Sequence, residues 1–172
     1  LAWAAQARGA TCPPVGVWES QSEALADCQE ALVRLGAGRP DVLIVGAKGR
    51  VGSGAAEFCR LTGLAATLWD VEETAHGGPF PEVLAHPIFL NCILARPGAP
   101  VFVPASTPAT PRALRVIGDI ACDPTSDFSP IKVYDRATSW AAPVIRVHET
   151  PPLDVMAIDN LPSLLPAESS ED

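Results

Sequence analysis

The chain has 172 residues, 48% hydrophobic and 19% charged, a globular composition that excludes a disordered or fibrous protein. Its 12 basic and 20 acidic residues leave a net charge of −8, so the footprint of a nucleic-acid binder is missing and no nucleic-acid partner is expected. No apolar stretch approaches the ~20 residues needed to cross a bilayer, so no membrane association is expected. The opening residues, LAWAAQARGA, have neither the basic start nor the long apolar core of a secretory leader. The five cysteines, Cys12, Cys28, Cys59, Cys92 and Cys122, are widely spaced and never form Cys-x-x-Cys. That pattern argues against a disulfide framework or a zinc site, predicts no metal, and suits a reducing cytoplasm.

In chain order, residues 20–36 follow a helical period. Ala24, Leu25, Cys28, Leu32 and Leu35 recur at three- and four-residue steps; Ser20 or Ser22 can cap the start and Gly36 can end it. A first strand at 41–45 runs into Gly46, Gly49, Gly52 and Gly54, and a helix at about 51–62 follows, with Gly63 as its stop signal. A second strand, 66–70, ends on Asp70, 24 positions after Gly46. Strand, glycine turn, helix and strand with a terminal acid is the order of a dinucleotide-binding βαβ unit. The glycines let the backbone turn and approach a pyrophosphate, and the helix N-terminus offers unpaired N–H groups to its charge. A side chain at Gly49 is expected to block that approach and the dihedrals it needs, and the terminal carboxylate accepts from ribose hydroxyls. The spacing departs from Gly-x-Gly-x-x-Gly, since two residues separate Gly46 from Gly49 and Ala47 stands between them.

Further strands are expected at 88–93, 114–120, 143–147 and 153–158. Strands separated by helices or long connections predict an α/β, Rossmann-type, doubly wound and mostly parallel sheet, with the loops after the first four strands on one edge. Of the 18 prolines, 15 follow residue 75, so the later crossovers read as irregular loops. The loops 77–80, 95–108 and 122–130 would open on the nucleotide edge. The chain starts without Met in what reads as the middle of a helix and stops in an acidic tail (Glu168, Glu171, Asp172), as a piece of a longer protein would.

Five segments together resemble the NAD-dependent, lysine-forming saccharopine dehydrogenase family: VLIVGAKGRVGSGA, WDVEET with GGPF, IFLNCI, GDIACDPTSDFSPI and PPLDVMAIDNLPSLLP. They stand in the family's order across roughly residues 38–167. The resemblance implies NAD as cofactor, with Gly49 and Arg50 against the pyrophosphate, Asp70 on the adenosine ribose and Thr74 near it. It also implies Ile120 lining the cofactor channel, and Ile158, Asp159, Asn160 and Leu161 closing over the nicotinamide. Leu94 stands where the family commonly has Tyr, and Asn160 where it has His. The family's proton-transfer Lys and His belong to another domain; Lys48 and Lys132, the lysines present, match neither, so no catalytic residue is expected here. On this resemblance residues 1–37 are an N-terminal helical or interdomain segment, 38–160 the NAD-binding domain, and 161–172 a return toward a substrate domain. The whole enzyme would oxidise saccharopine to lysine and 2-oxoglutarate.

Other readings stand beside these. Asp70 can simply cap the next segment, Asp119 can face the cofactor or cap a turn, and Asp123 reads as a turn cap. Glu72 and Glu73 read as a solvated acidic edge. Arg50 opposes the dipole at a helix start, which a phosphate contact would offset. His76, His86 and His148 share no spacing and read as surface or loop residues; Trp3, Trp18 and Trp140 read as packing residues. An inactive nucleotide-binding or sensory module, or a relative of alanine dehydrogenase, are the alternative functions.

Overall fold

The computed structural model describes residues 1–36, 38–94 and 96–169. Ala37, Ala95 and the tail residues Glu171 and Asp172 lie outside the described residues. Six strands form one sheet: β1 (Val42–Val45), β2 (Ala66–Trp69), β3 (Ile88–Asn91), β4 (Val116–Asp119), β5 (Ile145–Glu149) and β6 (Pro152–Met156). Their order is β2-β1-β3-β4-β6-β5. Every pair is parallel except β5 with β6, so the sheet is the doubly wound, mostly parallel type its pattern predicts. β1 connects to β2 on one side and β3 lies on the other, which puts the topological switch, and the crevice it opens, between β1 and β3.

The expected strand at 143–147 is shifted. β5 covers Ile145–Glu149 and runs antiparallel at the sheet edge, with an irregular register between Arg146 and His148. Only two residues, Thr150 and Pro151, separate Glu149 from its register partner Pro152, and a connection that short closes an antiparallel pair but never a parallel one. The fourth strand is likewise shorter than 114–120, ending at Asp119.

Residues alternate between the two faces of each strand. On one face Val42, Ile44, Ala47 and Cys59 pack under helix α3 (Arg50–Thr62), with Leu90 and Cys92 at the margin. Helices α1 (Ala2–Ala7) and α2 (Gln21–Val33) extend that layer. The Gln6 amide of α1 donates to the Arg115 carbonyl (3.0 Å) and to Asp154 on β6 (2.8 Å). Asp154, 3% exposed, is also held by the guanidinium of Arg146, so a buried carboxylate is paired as burial requires. Ser20 is the residue that caps α2, accepting from the Glu23 N–H at 3.3 Å.

The opposite face has almost no helix. Leu43, Val45, Phe89, Ile117, Leu153 and Val155 are covered by Phe80 and Val83 of the short α5 region (α5, Pro81–Ala85) and by loop residues Phe102, Val103, Leu114, Ile131 and Tyr134. Phe102 packs between Phe80 and Phe89, with ring centroids 4.7 and 5.8 Å away. The proline-rich stretches therefore serve as the second layer of the sandwich. The packing expectation for tryptophans holds only in part: Trp3, Trp18 and Trp140 are each half-buried, and Trp18 donates its indole N–H to Asp27 at 2.7 Å.

Candidate functional site: the carboxyl edge of the sheet

The parallel registers bring the ends of β1, β2, β3, β4 and β6 to one edge, so Gly46, Asp70, Cys92, Ile120 and the 158–161 segment all follow strands that stop there. Gly46 turns the chain out of β1 with φ of +82°, and a Cβ on it would meet Ile93 Cγ2 at 2.7 Å and the Cys92 backbone at 3.1 Å. A Cβ on Gly52 would sit 2.7 Å from the Gly46 carbonyl carbon and 2.8 Å from Ala47 Cα. These two glycines let α3 cross β1 closely. Gly49 is different. It is the N-cap of α3 with an ordinary φ of −75°, and its hypothetical Cβ lies 3.2 Å from the Gly46 oxygen. The expectation that Gly49 needs special dihedrals is therefore corrected: its backbone suits any residue, and a side chain there would press only on the Gly46 oxygen.

The exposed face of the turn leaves backbone donors open. Gly49, Arg50 and Val51 are exposed at the start of α3, and the N–H groups of Arg50 and Val51 find no partner among the described residues. Arg50 occupies the first helical position with its side chain in solvent. No acidic residue occupies the first turn, leaving the positive end of the helix dipole uncompensated.

Asp70 closes the other side of the turn. One carboxylate oxygen accepts from the Lys48 N–H and the other from the Val71 N–H, each at 2.9 Å. These two backbone donors, Lys48 first, hold its carboxyl below the usual aspartate range. Asp70 also caps helix α4 (Val71–Thr74), and the Glu73 carboxylate reciprocates by accepting from the Asp70 N–H at 2.7 Å. Glu73 is thus half of a capping box, which corrects its reading as merely solvated; Glu72 pairs with Lys48 at 3.6 Å on the surface. Capping and ligand binding are compatible for Asp70, because a carboxylate offers about four acceptor sites and the backbone uses two. Thr74 ends α4 and donates its hydroxyl to the Asp70 carbonyl at 2.9 Å, beside the acid but already engaged.

Farther along the edge, Ile120 follows β4 and its N–H donates to the Asn91 carbonyl at 3.0 Å. Ile158 is buried and bridges to Thr138, whereas Asp159 and Asn160 are exposed and Leu161 half-buried. Asn160 takes the left-handed conformation (φ of +63°) and opens a 3-10 turn, Leu161–Leu164. Asparagine tolerates that backbone better than most residues. Leu94 is 68% exposed and offers no polar group where it stands.

A cluster that sequence reasoning missed lies between these two regions. Asp119 is 1% exposed; it accepts from the Asn91 amide at 2.8 Å and from the Tyr134 hydroxyl at 2.5 Å. Burial and the adjacent Asp119 push the Tyr134 hydroxyl above its ordinary pKa. Burial, then Asp119, pushes the Cys92 thiol up to about 12, so it is no nucleophile. The available signals were a lone amide inside the apolar run IFLNCI and the chain's single tyrosine.

No lysine–histidine pair stands at this edge among the described residues. Lys132 donates to the Asp127 carbonyl, His86 lies between Thr67 and the Glu82 carbonyl at the opposite end of β3, and His148 is in β5. His76 stacks on Phe80 at 4.9 Å. No group of acidic, cysteine or histidine side chains among the described residues could hold a metal ion, and no helix among them is long and apolar enough to cross a membrane.

Comparison with known proteins gives the edge a context. The chain is 40% identical to the NAD(+), L-lysine-forming saccharopine dehydrogenase of Candida glabrata over 168 aligned residues, 92% of this chain and 45% of that protein. The enzyme of the same name from Neurospora crassa is 41% identical over 170 residues, 92% of this chain and 45% of its own length. That of Candida albicans is 37% identical over 176, covering 96% and 46%. This chain is similar to L-lysine-forming saccharopine dehydrogenases. The likeness runs through nearly all of it, while the chain spans less than half the length of the curated relatives it matches. No protein-family model matches the chain.

Proposed function

We propose that this chain is the NAD-binding part of a saccharopine dehydrogenase that yields lysine and 2-oxoglutarate. The observation that carries the reading is the pairing of an exposed, uncapped start of α3 at Gly49–Val51 with Asp70 across the same turn. Open N–H groups and a glycine without Cβ fit a pyrophosphate, and the unused acceptor sites of Asp70 fit ribose hydroxyls. The residues thus suit NAD, which when bound accepts a hydride from the carbon of saccharopine's secondary amine.

On this reading Gly49 and Arg50 hold the pyrophosphate and Asp70 the adenosine ribose, with Thr74 fixing the backbone beneath it. Ile120 walls the channel, and Ile158, Asp159, Asn160 and Leu161 shield the nicotinamide side from water. Residues 38–160 are the nucleotide domain, the helices of 1–37 cover one face of its sheet, and 161–172 lead toward a substrate domain. The chain orients and excludes water; the proton from the amine and the water that cleaves the imine are handled by groups outside it. Its partners are small molecules (saccharopine, lysine, 2-oxoglutarate), with no nucleic acid or membrane, and its compartment is the cytoplasm.

The test is saccharopine-dependent formation of NADH, followed by absorbance. The intact protein is expected to form NADH and the 172-residue chain alone is not. Failure of the intact protein would refute the substrate, and turnover by the chain alone at the parent's rate would place the catalytic groups within it.

A further inference from the structure

The Asn91–Asp119–Tyr134 cluster calls for its own explanation. The three side chains are 0%, 1% and 8% exposed, and both partners of the buried Asp119 carboxylate are neutral donors. A carboxylate out of water without a cation is costly, and apolar side chains of similar size would pack the same space more cheaply. The cluster's place in the fold supplies a reason for it.

Asn91 is the last residue of β3, and the backbone of the next residue, Cys92, abuts Gly46 of the glycine turn. Asp119 is the last residue of β4, directly before Ile120. Tyr134 belongs to the loop that continues to Thr138. There the Thr138 N–H donates to the Ala157 carbonyl at 2.8 Å, and the Ala157 N–H donates to the Thr138 hydroxyl at 3.0 Å. The Cys122 thiol, from the loop after β4, donates to the same Ala157 carbonyl at 3.0 Å. Two sets of hydrogen bonds, joined by the short chain segments from Tyr134 to Thr138 and from Asp119 to Cys122, therefore span from the strand beside the glycine turn to the backbone that leads into residues 158–161.

We propose that Tyr134 is a positioning residue whose hydroxyl, through Asp119 and Asn91, fixes the wall at residues 158–161 against the ends of β3 and β4. The inference rests on the dinucleotide reading above and assigns the span between the two walls to this hydroxyl. A ligand reaching both walls, as an intact dinucleotide does, depends on it. A mononucleotide held only by the glycine turn and Asp70 does not.

The test compares NAD with AMP by titration calorimetry in the intact protein and its Tyr134→Phe variant, which keeps the ring in the core. Removing a hydrogen bond to a charged group is expected to weaken NAD roughly tenfold while AMP binds as before, with circular dichroism unchanged. Unchanged NAD affinity would overturn the inference, and so would an equal loss for both ligands, which marks general damage. Absence of binding of either nucleotide to the unaltered protein would instead refute the dinucleotide reading itself, and the inference with it. Should Tyr134→Phe fail to fold, 3-fluorotyrosine placed site-specifically at position 134 of the intact protein gives a second measurement. Its fluorine resonance should move on addition of NAD and stay with AMP; a resonance indifferent to NAD would overturn the inference.

Discussion

The two faces of the sheet solve the same burial problem in different ways. One is covered by helices whose period is written in the sequence; the other is covered by proline-rich loops whose aromatic and aliphatic side chains reach down singly. The helical face holds a small cluster around Cys59, and the loop face holds the larger one, including Phe89, Phe102 and Ile131. Irregular backbone is thus no sign of a peripheral segment. In this chain the face that the loops cover holds the larger buried cluster, and the polar cluster at Asp119 is buried on that side.

The sharpest way to break that comparison is to truncate the loop face. Phe102→Ala removes a ring that is 2% exposed and stacked on two others, and should destabilise by about 3–5 kcal/mol in urea unfolding. Cys59→Ala on the helical face should cost about 1 kcal/mol. Equal losses would mean that the loops add little.

The glycine turn provides the next contrast. Gly52→Ala drives a Cβ into the Gly46 carbonyl and should cost about 1–3 kcal/mol, read from the same unfolding curves. Gly49→Ala, with its ordinary φ and a looser 3.2 Å contact, should change stability by less than about 1 kcal/mol yet weaken NAD measurably by calorimetry. If the two variants behaved alike, the division between a packing glycine and a ligand-facing glycine would fail.

These contrasts also mark what was legible beforehand. The β1–α3–β2 unit could be read because an apolar run, glycines and a helical period each specify backbone locally. Asp70 could be placed for the same reason, since it ends the second apolar run at a set distance from the glycine turn. The capping box with Glu73 is written in Asp-x-x-Glu, but a run of acids beside a strand end has the same composition as a solvated edge. The direction of β5 depended on a short return that the apolar run at 143–147 does not encode. Tyr134 and Asn91 lie 43 positions apart in sequence and meet only through tertiary packing, which no local pattern records. The role of Phe102 escaped for the same reason.

The smallest expected effect is acid sensitivity at the turn. Backbone donors lower the folded-state pKa of Asp70. Its stabilising contribution is therefore complete above the unfolded value of ~3.9 and is lost as pH falls through the lower folded one. Asp70 is half-buried and its charge is favoured chiefly by two surface backbone contacts, so the effect is slight. Asp70→Asn should flatten the decline in thermal midpoint over that acidic range relative to the unaltered protein, and an identical decline in both would show that the two backbone contacts do not favour the charged form.

The most direct measurement of the central claim is calorimetric titration of the unaltered protein and Asp70→Ala with NAD and with NADP. An acid that accepts from both ribose hydroxyls repels a 2′-phosphate, so the unaltered protein should prefer NAD. Charge-assisted hydrogen bonds contribute about 1.5–3 kcal/mol, so Asp70→Ala should weaken NAD roughly 10- to 150-fold. Equal affinity of the unaltered protein for the two cofactors, or NAD binding indifferent to Asp70→Ala, would contradict the account.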